Sequence, residues 1–559
     1  MYKKAYHINL GYNRYHIHLW DDFGYEKVEW TKPAYRECGK EGASFRGLNG
    51  EYLQKTYKYK KGDNGIHFDD MTTYQHYLIE RYGTDDTPSE THKEMFFDIE
   101  CEMLDSLTSD YIKTAPKKIT SIAWYDKQVN QWGILILDEK GKISPKNINN
   151  QEIIPCRNER ELLLKFVDKM REIDPDILCG YNSDFFDIPY LYFRMCNVIG
   201  EDYAKHLSPI GYVRETPWSQ DTFVQIIGVE SLDYMRLHRK YSWEDEISWK
   251  LDDIGEKYAN LKKIEYSGNL DDLFRSDIDL FIEYNFRDVE ILVELDKHFE
   301  YLSLTKNLSH KGKHNYSEVY SNTKTQDGAI SSYLLDKNII PPSKDTNALK
   351  KGYAGGYLFC PKAGIYNYMF DEDLVSLYPS LIMTLNLGKE TMVGRIVNEN
   401  DRNKHSGLND LRKMDPNTEL IIENSQRMHT EVTAKKLIEI IVDNKFSISA
   451  NGVMFNTNKK SVLTSILEGW FAERVKYKDK MKNAYTGGNE SEGKKYFLLQ
   501  YTQKILMNAV YGSLALGDYN RYGNVYLAEA VTLTGQRVIV ESGLTVNRNI
   551  NARMKGTLK

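Results

Sequence analysis

The sequence predicts a multidomain protein of the mixed α/β class, and three observations carry that prediction. The chain has 559 residues, more than one hydrophobic core usually organises, so several domains are expected. Between about residues 94 and 180 the apolar pattern changes in the order strand, strand, strand, helix, strand. Two long helical patterns separated by a short polar turn follow in the second half, and they predict a helical hairpin.

The composition is typical of a globular protein and excludes several other classes. Hydrophobic residues make up 41% of the chain and charged residues 28%. The net charge of −6 argues against a purely electrostatic DNA binder, but it allows one basic channel beside acidic sites. The six cysteines form no CxxC pair, so neither a zinc site nor a disulfide framework is indicated, and a cytoplasmic location is expected. The N-terminus has no signal-type apolar core and no apolar run approaches about 18 residues, so no membrane association is expected.

The first half of the chain divides into two styles of pattern. Residues 1 to about 90 predict short strands and turns, with alternation over residues 6–20. From Glu94 the segments EMFFDIEC, KKITSIAWYD and QWGILILD predict strands, NERELLLKFVDKMREI predicts a helix, and DILCGYN predicts a further strand. Residues 271–304 are helical and acidic, and the polar stretch 306–325 is expected to mark a domain exit.

The second half begins with a glycine-rich segment, residues 351–364, that predicts a linker or a tight loop. NYMFDEDLVSLY, residues 367–378, predicts a strand, and a helix is expected to begin at Pro379 because proline is favoured at the first helical position. Further helices are predicted over Val462–Ala484, Glu492–Tyr511 and Tyr526–Asn547.

A first group of candidate site residues is acidic. Asp98 and Glu100 lie two apart on a predicted strand and share a face, where a divalent cation would relieve their repulsion. The alternative is an edge strand with two solvated acids. Asp187 follows the strand DILCGYN, and Tyr284 and Asp288 share a helix face at spacing i, i+4. Four carboxylates and a phenol together meet the needs of two-metal attack on a phosphodiester.

A second group surrounds Asp373, which precedes a predicted helix N-terminus. Free N–H groups at such an N-terminus suit a triphosphate, and the acid would hold its magnesium ion. Tyr378 beside that seat could exclude a ribose 2′-hydroxyl. The alternative is an ordinary strand-to-helix corner with a buried tyrosine.

The predicted hairpin adds cations to this second group. Arg474 and Lys478 share one helix face, and Lys504, Asn508 and Tyr511 share another. Converging cations repel each other, and a triphosphate would relieve that repulsion. A solvated basic helix face is the alternative, and it is favoured for Lys476, Lys480 and Lys482.

These motifs, taken in order, resemble family B DNA polymerases of the T-even-like bacteriophage type. The matching elements are DIE at Asp98–Glu100, NxxxFD at Asn182–Asp187, YxxxD at Tyr284–Asp288, YxGG at Tyr353–Gly356, DxxSLYPS at Asp373–Ser380 and KxxxNSxYG at Lys504–Gly512. Two residues depart from the pattern: Glu372 stands where an apolar residue is usual, and Ala509 replaces a serine.

The resemblance implies DNA-directed DNA polymerase activity with a 3′→5′ proofreading exonuclease of RNase H-like fold. It implies two Mg²⁺ or Mn²⁺ ions per active site, held by Asp98, Glu100, Asp187, Asp288 and Asp373, with Tyr284 positioning the attacking water. Nucleotide contacts are implied for Ser376, Leu377, Tyr378, Arg474, Lys478, Lys504 and Asn508. DNA contacts are implied for Tyr353, Gly355, Gly356, Tyr511 and Gly512.

The resemblance also implies a domain order. The expected domains are an N-terminal β-rich domain at 1–90 with a return segment near 311–350, the exonuclease at 91–310, a first palm part at 351–460, helical-hairpin fingers at 461–520 and a second palm part at 521–559.

The family's third polymerase motif, YGDTDS, does not occur in the 559 residues. The chain is therefore expected to be the N-terminal part of a split or truncated polymerase that works with a second chain carrying YGDTDS and the thumb. The expected partners are primer–template DNA, deoxynucleoside triphosphates, that second chain and, through it, a sliding clamp. Two alternatives remain open: a stand-alone exonuclease, and a non-catalytic remnant that grips primer–template DNA.

Overall fold

The computed structural model describes residues 1–148, 150–218, 221–242, 244–345, 352–360, 362–365, 373–397, 407–425, 427–516 and 520–557. The chain forms two compact units. The first contains Met1–Lys32 and Thr73–Ser321, and the second contains Pro33–Thr72 and Asn322–Lys559. The boundary at Ser321 falls inside the polar stretch 306–325. Within the described residues, no helix is both long and apolar enough to span a membrane.

The strands of the described residues are numbered in chain order. They are β1 (Tyr2–Gly11), β2 (Arg14–Asp21), β3 (Gly24–Thr31), β4 (Ala34–Glu37), β5 (Phe45–Gly47), β6 (Tyr52–Thr56), β7 (Ile66–His67), β8 (Glu94–Cys101), β9 (Ile119–Asp126), β10 (Gln131–Leu137), β11 (Lys146–Ile148), β12 (Gln151–Cys156), β13 (Ile177–Gly180), β14 (Val213–Trp218), β15 (Asp221–Ile226), β16 (Glu230–Asp233), β17 (Ile339–Ile340), β18 (Met392–Ile396), β19 (Glu419–Asn424), β20 (His429–Thr433), β21 (Phe446–Ile448) and β22 (Val453–Asn456).

The α-helices are numbered in the same way. They are α1 (Thr73–Tyr82), α2 (Ser109–Thr114), α3 (Glu159–Ile173), α4 (Asp187–Ile199), α5 (Glu201–Ala204), α6 (Tyr234–Tyr241), α7 (Leu251–Ala259), α8 (Leu270–Ser276), α9 (Ile278–Phe299), α10 (Tyr301–Gly312), α11 (Asn322–Asp336), α12 (Leu377–Leu385), α13 (Leu408–Leu411), α14 (Ala434–Asp443), α15 (Val462–Thr486), α16 (Glu490–Ser513) and α17 (Val525–Thr557).

A seven-stranded mixed sheet in the order β11-β12-β10-β9-β8-β13-β16 organises the first unit. Strand β8 pairs antiparallel with β9 and parallel with β13. Its alternate residues Met95, Phe97 and Ile99 are buried in a core shared with α3 and α4. Asp98 and Glu100 therefore face the other side of the sheet. The predicted strands, the helix after them and the mixed α/β class are confirmed.

The N-terminal strands β1, β2 and β3 form an antiparallel sheet in the first unit. Helix α1 packs on it, with Tyr74 and Leu78 in a cluster that includes Tyr2 and Leu19. The expectation of only strands and turns in residues 1–90 is wrong at this helix. The first seven residues of α1 are all buried, so no polar face exists to give a helical period.

The second unit contains a five-stranded sheet in the order β17-β5-β6-β4-β7. Strand β17, from the segment expected to return near 311–350, pairs parallel with β5 through Ile339 and Arg46. Residues 33–72 thus group with the second unit, while residues 1–32 group with the first. The division of the chain into five domains stays a prediction.

A second antiparallel sheet, in the order β20-β19-β18-β22-β21, and a helical hairpin complete the description of the second unit. Helices α15 and α16 form the predicted hairpin, and Ser461 caps α15 by accepting from the Thr464 N–H at 3.0 Å. Half of the strand predicted over 367–378, residues 367–372, lies outside the described residues. In its described part, 373–378, residues 373–376 are not a strand, and α12 begins at Leu377, two residues before the predicted start.

Candidate active site

Three carboxylates meet on one face of the sheet of the first unit, and a fourth reaches them from the start of α4. Asp98, Glu100 and Asp288 each offer an oxygen, and these atoms lie within 4.8 Å of one another. Asp187 is the first residue of α4, and its Oδ1 accepts from the Ile99 N–H at 3.2 Å. Because Ile99 lies between Asp98 and Glu100, this hydrogen bond attaches the fourth acid to the cluster.

Helix α9 contributes Tyr284 and Asp288 at the predicted i, i+4 spacing. Both side chains are buried. Asp187 is also buried rather than projecting from a loop. The face that sequence periodicity assigns to Tyr284 and Asp288 is therefore the face that α9 turns to β8.

The cluster carries more negative charge than its surroundings stabilise. Removal from water, reinforced by Asp288, Asp187 and Glu100, raises the pKa of Asp98 well above its ordinary value. Removal from water and repulsion by Asp288 raise the pKa of Glu100 to about 8. Burial raises the pKa of Asp187 to about 7, and it also raises the pKa of Asp288 against the opposing effect of Lys263.

Among the fully buried side-chain oxygens of the described residues, one oxygen of this cluster lacks a hydrogen-bond donor. Asp288 Oδ1 is buried and makes no hydrogen bond. A buried carboxylate oxygen without a partner is costly, and a cation would relieve that cost. The hard oxygen donors of the cluster fit a divalent cation such as Mg²⁺ or Mn²⁺.

Two side chains at this site were not predicted from the sequence. Lys263, in the loop after α7, donates to Asp288 Oδ2 and lies 3.2 Å from the Tyr284 hydroxyl oxygen. Asn285 Nδ2 donates to Asp98 Oδ2 at 2.7 Å, and Asn285 Oδ1 accepts from Ser121 Oγ at 2.7 Å. The sequence offered one signal for Asn285, a polar residue next to Tyr284 among the apolar residues of α9. It offered no periodic signal for Lys263.

The second unit brings several residues of the second candidate group together. Asp373 is exposed. Ser376 has a positive φ of 51° just before α12, and Arg474 Nη1 donates to its Oγ at 3.3 Å. Arg474 Nε also donates to Gln500 Oε1 at 3.4 Å, which links the two helices of the hairpin.

Three cations gather along the hairpin. Burial lowers the pKa of Lys504, and repulsion from Arg474 and Lys478 lowers it further. Burial also lowers the pKa of Arg474. The expected convergence of Arg474, Lys478 and Lys504 is therefore present in the structure. Asn508 and Gly512 are exposed on α16.

Aromatic rings form the neighbouring surface. The Tyr378 and Tyr511 ring centroids are 4.2 Å apart. Burial, followed by the Tyr353 and Tyr378 phenols, raises the pKa of Tyr511. A Cβ added at Gly356 would lie 2.9 Å from the Tyr378 hydroxyl oxygen, and Gln536 Nε2 donates to the Gly355 carbonyl oxygen at 2.7 Å. The YxGG segment thus lies against Tyr378.

Comparison with known families matches both halves of the chain. The family model described as DNA polymerase family B, exonuclease domain, matches residues 54–254, and that of DNA polymerase family B matches residues 321–558. The chain belongs to DNA polymerase family B. Asp98, Glu100 and Asp187 of this family B chain lie in the exonuclease match, and Asp373 and Lys504 lie in the polymerase match.

Curated relatives are similar over much of this family B chain. A DNA-directed DNA polymerase of Enterobacteria phage T4 is 28% identical over 74% of the chain and 48% of its own length. That of Escherichia phage RB69 is 28% identical over 64% of the chain and 37% of its own length. DNA polymerase 1 of Saccharolobus solfataricus is 27% identical over 69% of the chain and 41% of its own length. The chain therefore spans about half the length, or less, of these relatives.

Proposed function

We propose that the first unit removes nucleotides from the 3′ end of DNA. The proposal rests chiefly on the group of Asp98, Glu100 and Asp288 with its unpartnered Asp288 oxygen, and on Asp187 beside that group. Asp98, Glu100, Asp187 and Asp288 would hold two Mg²⁺ or Mn²⁺ ions. When bound, such ions supply an activated water and stabilise charge on the phosphate that is cut.

The other polar groups of this site have roles that follow from their contacts. The Tyr284 phenol would orient the attacking water, and Lys263 would hold that phenol through its contact at 3.2 Å. Lys263 would also offset part of the negative charge, since it contacts Asp288 as well. Asn285 would fix the Asp98 carboxylate through its hydrogen bond at 2.7 Å.

The test is a nuclease assay on a 3′-labelled single strand with Mg²⁺ or Mn²⁺. Asp98→Ala with Glu100→Ala should abolish the activity, because the variant loses two proposed cation ligands. Glu139→Ala with Asp168→Ala removes two exposed acids of the same unit and should leave the rate unchanged. Wild-type rates in the first variant would show that the site assignment is wrong.

We further propose that the second unit binds a deoxynucleoside triphosphate and primer–template DNA. Arg474, Lys478 and Lys504 would bind the phosphates, since the charges of Arg474 and Lys478 act on Lys504 and neighbouring cations suit a polyanion. Asp373 would hold the associated cation, and Ser376, Leu377 and Asn508 would complete the seat. Tyr378 and Tyr511 would lie beside the nascent base pair. Tyr353, Gly355, Gly356 and Gly512 would contact the DNA.

Nucleotidyl transfer needs two cations and therefore more than Asp373 alone. We propose that the second carboxylate comes from a YGDTDS segment outside these 559 residues, on the same polypeptide or on another. Contact with a sliding clamp would also come from that part, and the enzyme would work in the cytoplasm. The second candidate function is a stand-alone exonuclease, which is favoured because Asp98, Glu100, Asp187 and Asp288 all lie in the first unit.

Primer extension distinguishes these two functions. The 559-residue chain is expected to extend a primer only after addition of a polypeptide that carries YGDTDS and the thumb, while nuclease activity needs no addition. Extension by the 559 residues alone would refute the need for the second carboxylate. Failure of every such polypeptide to bind and restore extension would leave the stand-alone exonuclease as the better account.

A further inference from the structure

The loop that delivers Asp187 to the acidic cluster, residues 181–186, is held by a buried carboxylate from another part of the chain. Asp233 is the last residue of β16 and is fully buried. Its Oδ1 accepts from the Asn182 N–H at 3.0 Å, and its Oδ2 accepts from the Asp184 N–H at 3.4 Å. Both oxygens of one side chain therefore bind the backbone of this loop.

The same carboxylate is fixed from its own side. Asp233 is the N-cap of α6, and its Oδ1 accepts from the Met235 N–H at 3.0 Å and the Arg236 N–H at 3.3 Å. The carboxylate that holds the loop is therefore itself fixed at the start of a helix. Asn182 itself has a positive φ of 59°, and its carbonyl accepts from the Phe185 and Phe186 N–H groups at 3.1 Å.

A second link joins the loop to the same elements. Asp184 accepts from Ser231 Oγ at 2.7 Å and from Arg236. The Arg236 guanidinium lies 3.8 Å from the centroid of the Tyr320 ring, and the Tyr320 hydroxyl donates to the Asp233 carbonyl oxygen at 3.2 Å. The loop is therefore bound at two successive points before the chain reaches Asp187.

The position of the loop bears directly on the acidic cluster. Asp187 follows Phe186 without an intervening residue, and its carboxylate reaches the Ile99 N–H between Asp98 and Glu100. A shift of the loop would move this carboxylate away from the other acids. Small misplacements of groups around a reacting centre cost large factors in rate.

We propose that Asp233 is a positioning residue of the exonuclease site, acting through the loop on Asp187; the proposal rests on the function assigned to the first unit. The hydrogen bonds described for the Asp233 carboxylate go to the loop and to the start of α6, and none of them reaches an acid of the cluster. By holding the loop, Asp233 fixes the position of Asp187 relative to the other three acids.

Asp233→Ser tests this, because serine also caps helices but its shorter side chain does not span both loop N–H groups. We expect the cap to survive and the exonuclease rate constant to fall about 10–100-fold, as for other groups that orient ligands. Asp233→Asn is a second variant of unchanged size, in which an amide N–H₂ replaces one of the two accepting oxygens.

A double-mutant cycle separates positioning from general damage. If Asp233 acts through Asp187, then Asp233→Ser should change the residual rate of an Asp187→Asn enzyme less than about threefold. Equal losses in both backgrounds would overturn the proposal.

Asp176→Asn is the matched control, because Asp176 is a buried aspartate just before β13, at the end remote from the loop, and binds Lys3 and Lys4. It should lower thermal stability without changing the rate constant.

Mn²⁺ binding, followed by electron paramagnetic resonance on the full chain, gives a readout independent of activity. Asp233→Ser should weaken Mn²⁺ binding at least about fivefold, while Asp176→Asn should bind like wild type. Unchanged Mn²⁺ affinity in Asp233→Ser would overturn the proposal. A wild-type chain that binds Mn²⁺ in an Asp233-dependent way but cuts no DNA would refute the exonuclease function and leave the positioning role standing.

Discussion

The Lys263 ammonium donates to the Asp288 carboxylate and lies 3.2 Å from the Tyr284 hydroxyl oxygen. Its pKa is raised, chiefly because Asp288, Tyr284 and Asp98 outweigh the opposing effect of burial. The ammonium group therefore remains charged inside the site and orders the two α9 side chains relative to each other.

Lys263→Met should lower the exonuclease rate constant about 10–100-fold, since Tyr284 loses the group that holds it. The same change should lower the Mg²⁺ concentration needed for half-maximal rate, because an opposing positive charge has gone. Steady-state rates across a Mg²⁺ titration measure both quantities. Lys262→Met, a change at the neighbouring surface lysine that pairs with Glu256, is the control. A rate loss with no change in the Mg²⁺ requirement would contradict the electrostatic role.

The acidic cluster predicts a pH-dependent stability in the absence of metal. The pKa of Glu100 is raised to about 8 in the folded state, whereas the pKa of a glutamate in an unfolded chain is about 4. Between these two pKa values the folded state holds a proton on Glu100 that the unfolded state has lost. The contribution of Glu100 to folding stability is therefore complete below about pH 4, and it disappears as the pH rises through about 8.

Thermal unfolding in EDTA should show this loss as a fall in Tm between pH 6 and pH 9. Glu100→Gln should flatten that fall, because glutamine does not ionise, and Mg²⁺ should raise the wild-type Tm most at pH 9. Glu139→Gln removes an exposed acid and should behave like wild type. Parallel Tm curves for wild type and Glu100→Gln would count against the cluster as the source.

Local periodicity explains which parts of this architecture the sequence could predict. Asp98 and Glu100 on β8, Tyr284 and Asp288 on α9, and the α15–α16 hairpin each depend on spacing within a single element. Helix α1 escaped prediction because burial on all sides removes the polar face that reveals a helix.

Long-range contacts explain what the sequence could not predict. Lys263 reaches Asp288 across 25 positions, and Asp233 reaches Asn182 across 51. The grouping of residues 33–72 with the second unit depends on still longer contacts, such as Arg521 with Asp70 across 451 positions. No spacing rule contains such information, because it is set by which elements pack together.

Lys504 provides a test of the nucleotide site in a reconstituted polymerase. Lys504→Ala should raise the KM for the incoming nucleotide about tenfold or more, which corresponds to about 1.4 kcal/mol, and should leave primer–template affinity unchanged. Single-nucleotide incorporation and DNA titration measure the two effects. Lys476→Ala removes an exposed cation of the same hairpin and should change neither. Lost DNA binding with normal incorporation would place Lys504 on the DNA instead.

Arg521 is a fully buried cation whose loss should destabilise the second unit. Its Nε and Nη2 donate to Asp327 at 2.6 and 2.9 Å, and its Nη1 donates to Asp70 at 2.8 Å and to the Pro342 carbonyl oxygen at 2.6 Å. This forked geometry joins three separate segments of the second unit, and a lysine could not reproduce it.

Arg521→Met should cost about 3–5 kcal/mol of unfolding free energy, because the buried Asp327 would keep only the Lys344 ammonium at 3.2 Å and the partly buried Asp70 would lose its guanidinium partner. Arg521→Lys should recover only part of that loss. Asp327→Asn added to Arg521→Met should partly restore stability, because it removes a buried negative charge that has lost its guanidinium partner. If Arg521→Met acted only through lost packing, the second change would not restore stability. Urea unfolding of the full chain measures all three variants.

Arg537→Met is the control, since Arg537 is a half-exposed residue whose ion pairs with Asp410 and Glu541 should contribute less than about 1 kcal/mol. If Arg521→Met unfolds at the urea concentration of the control, the buried pairs do not hold these segments together.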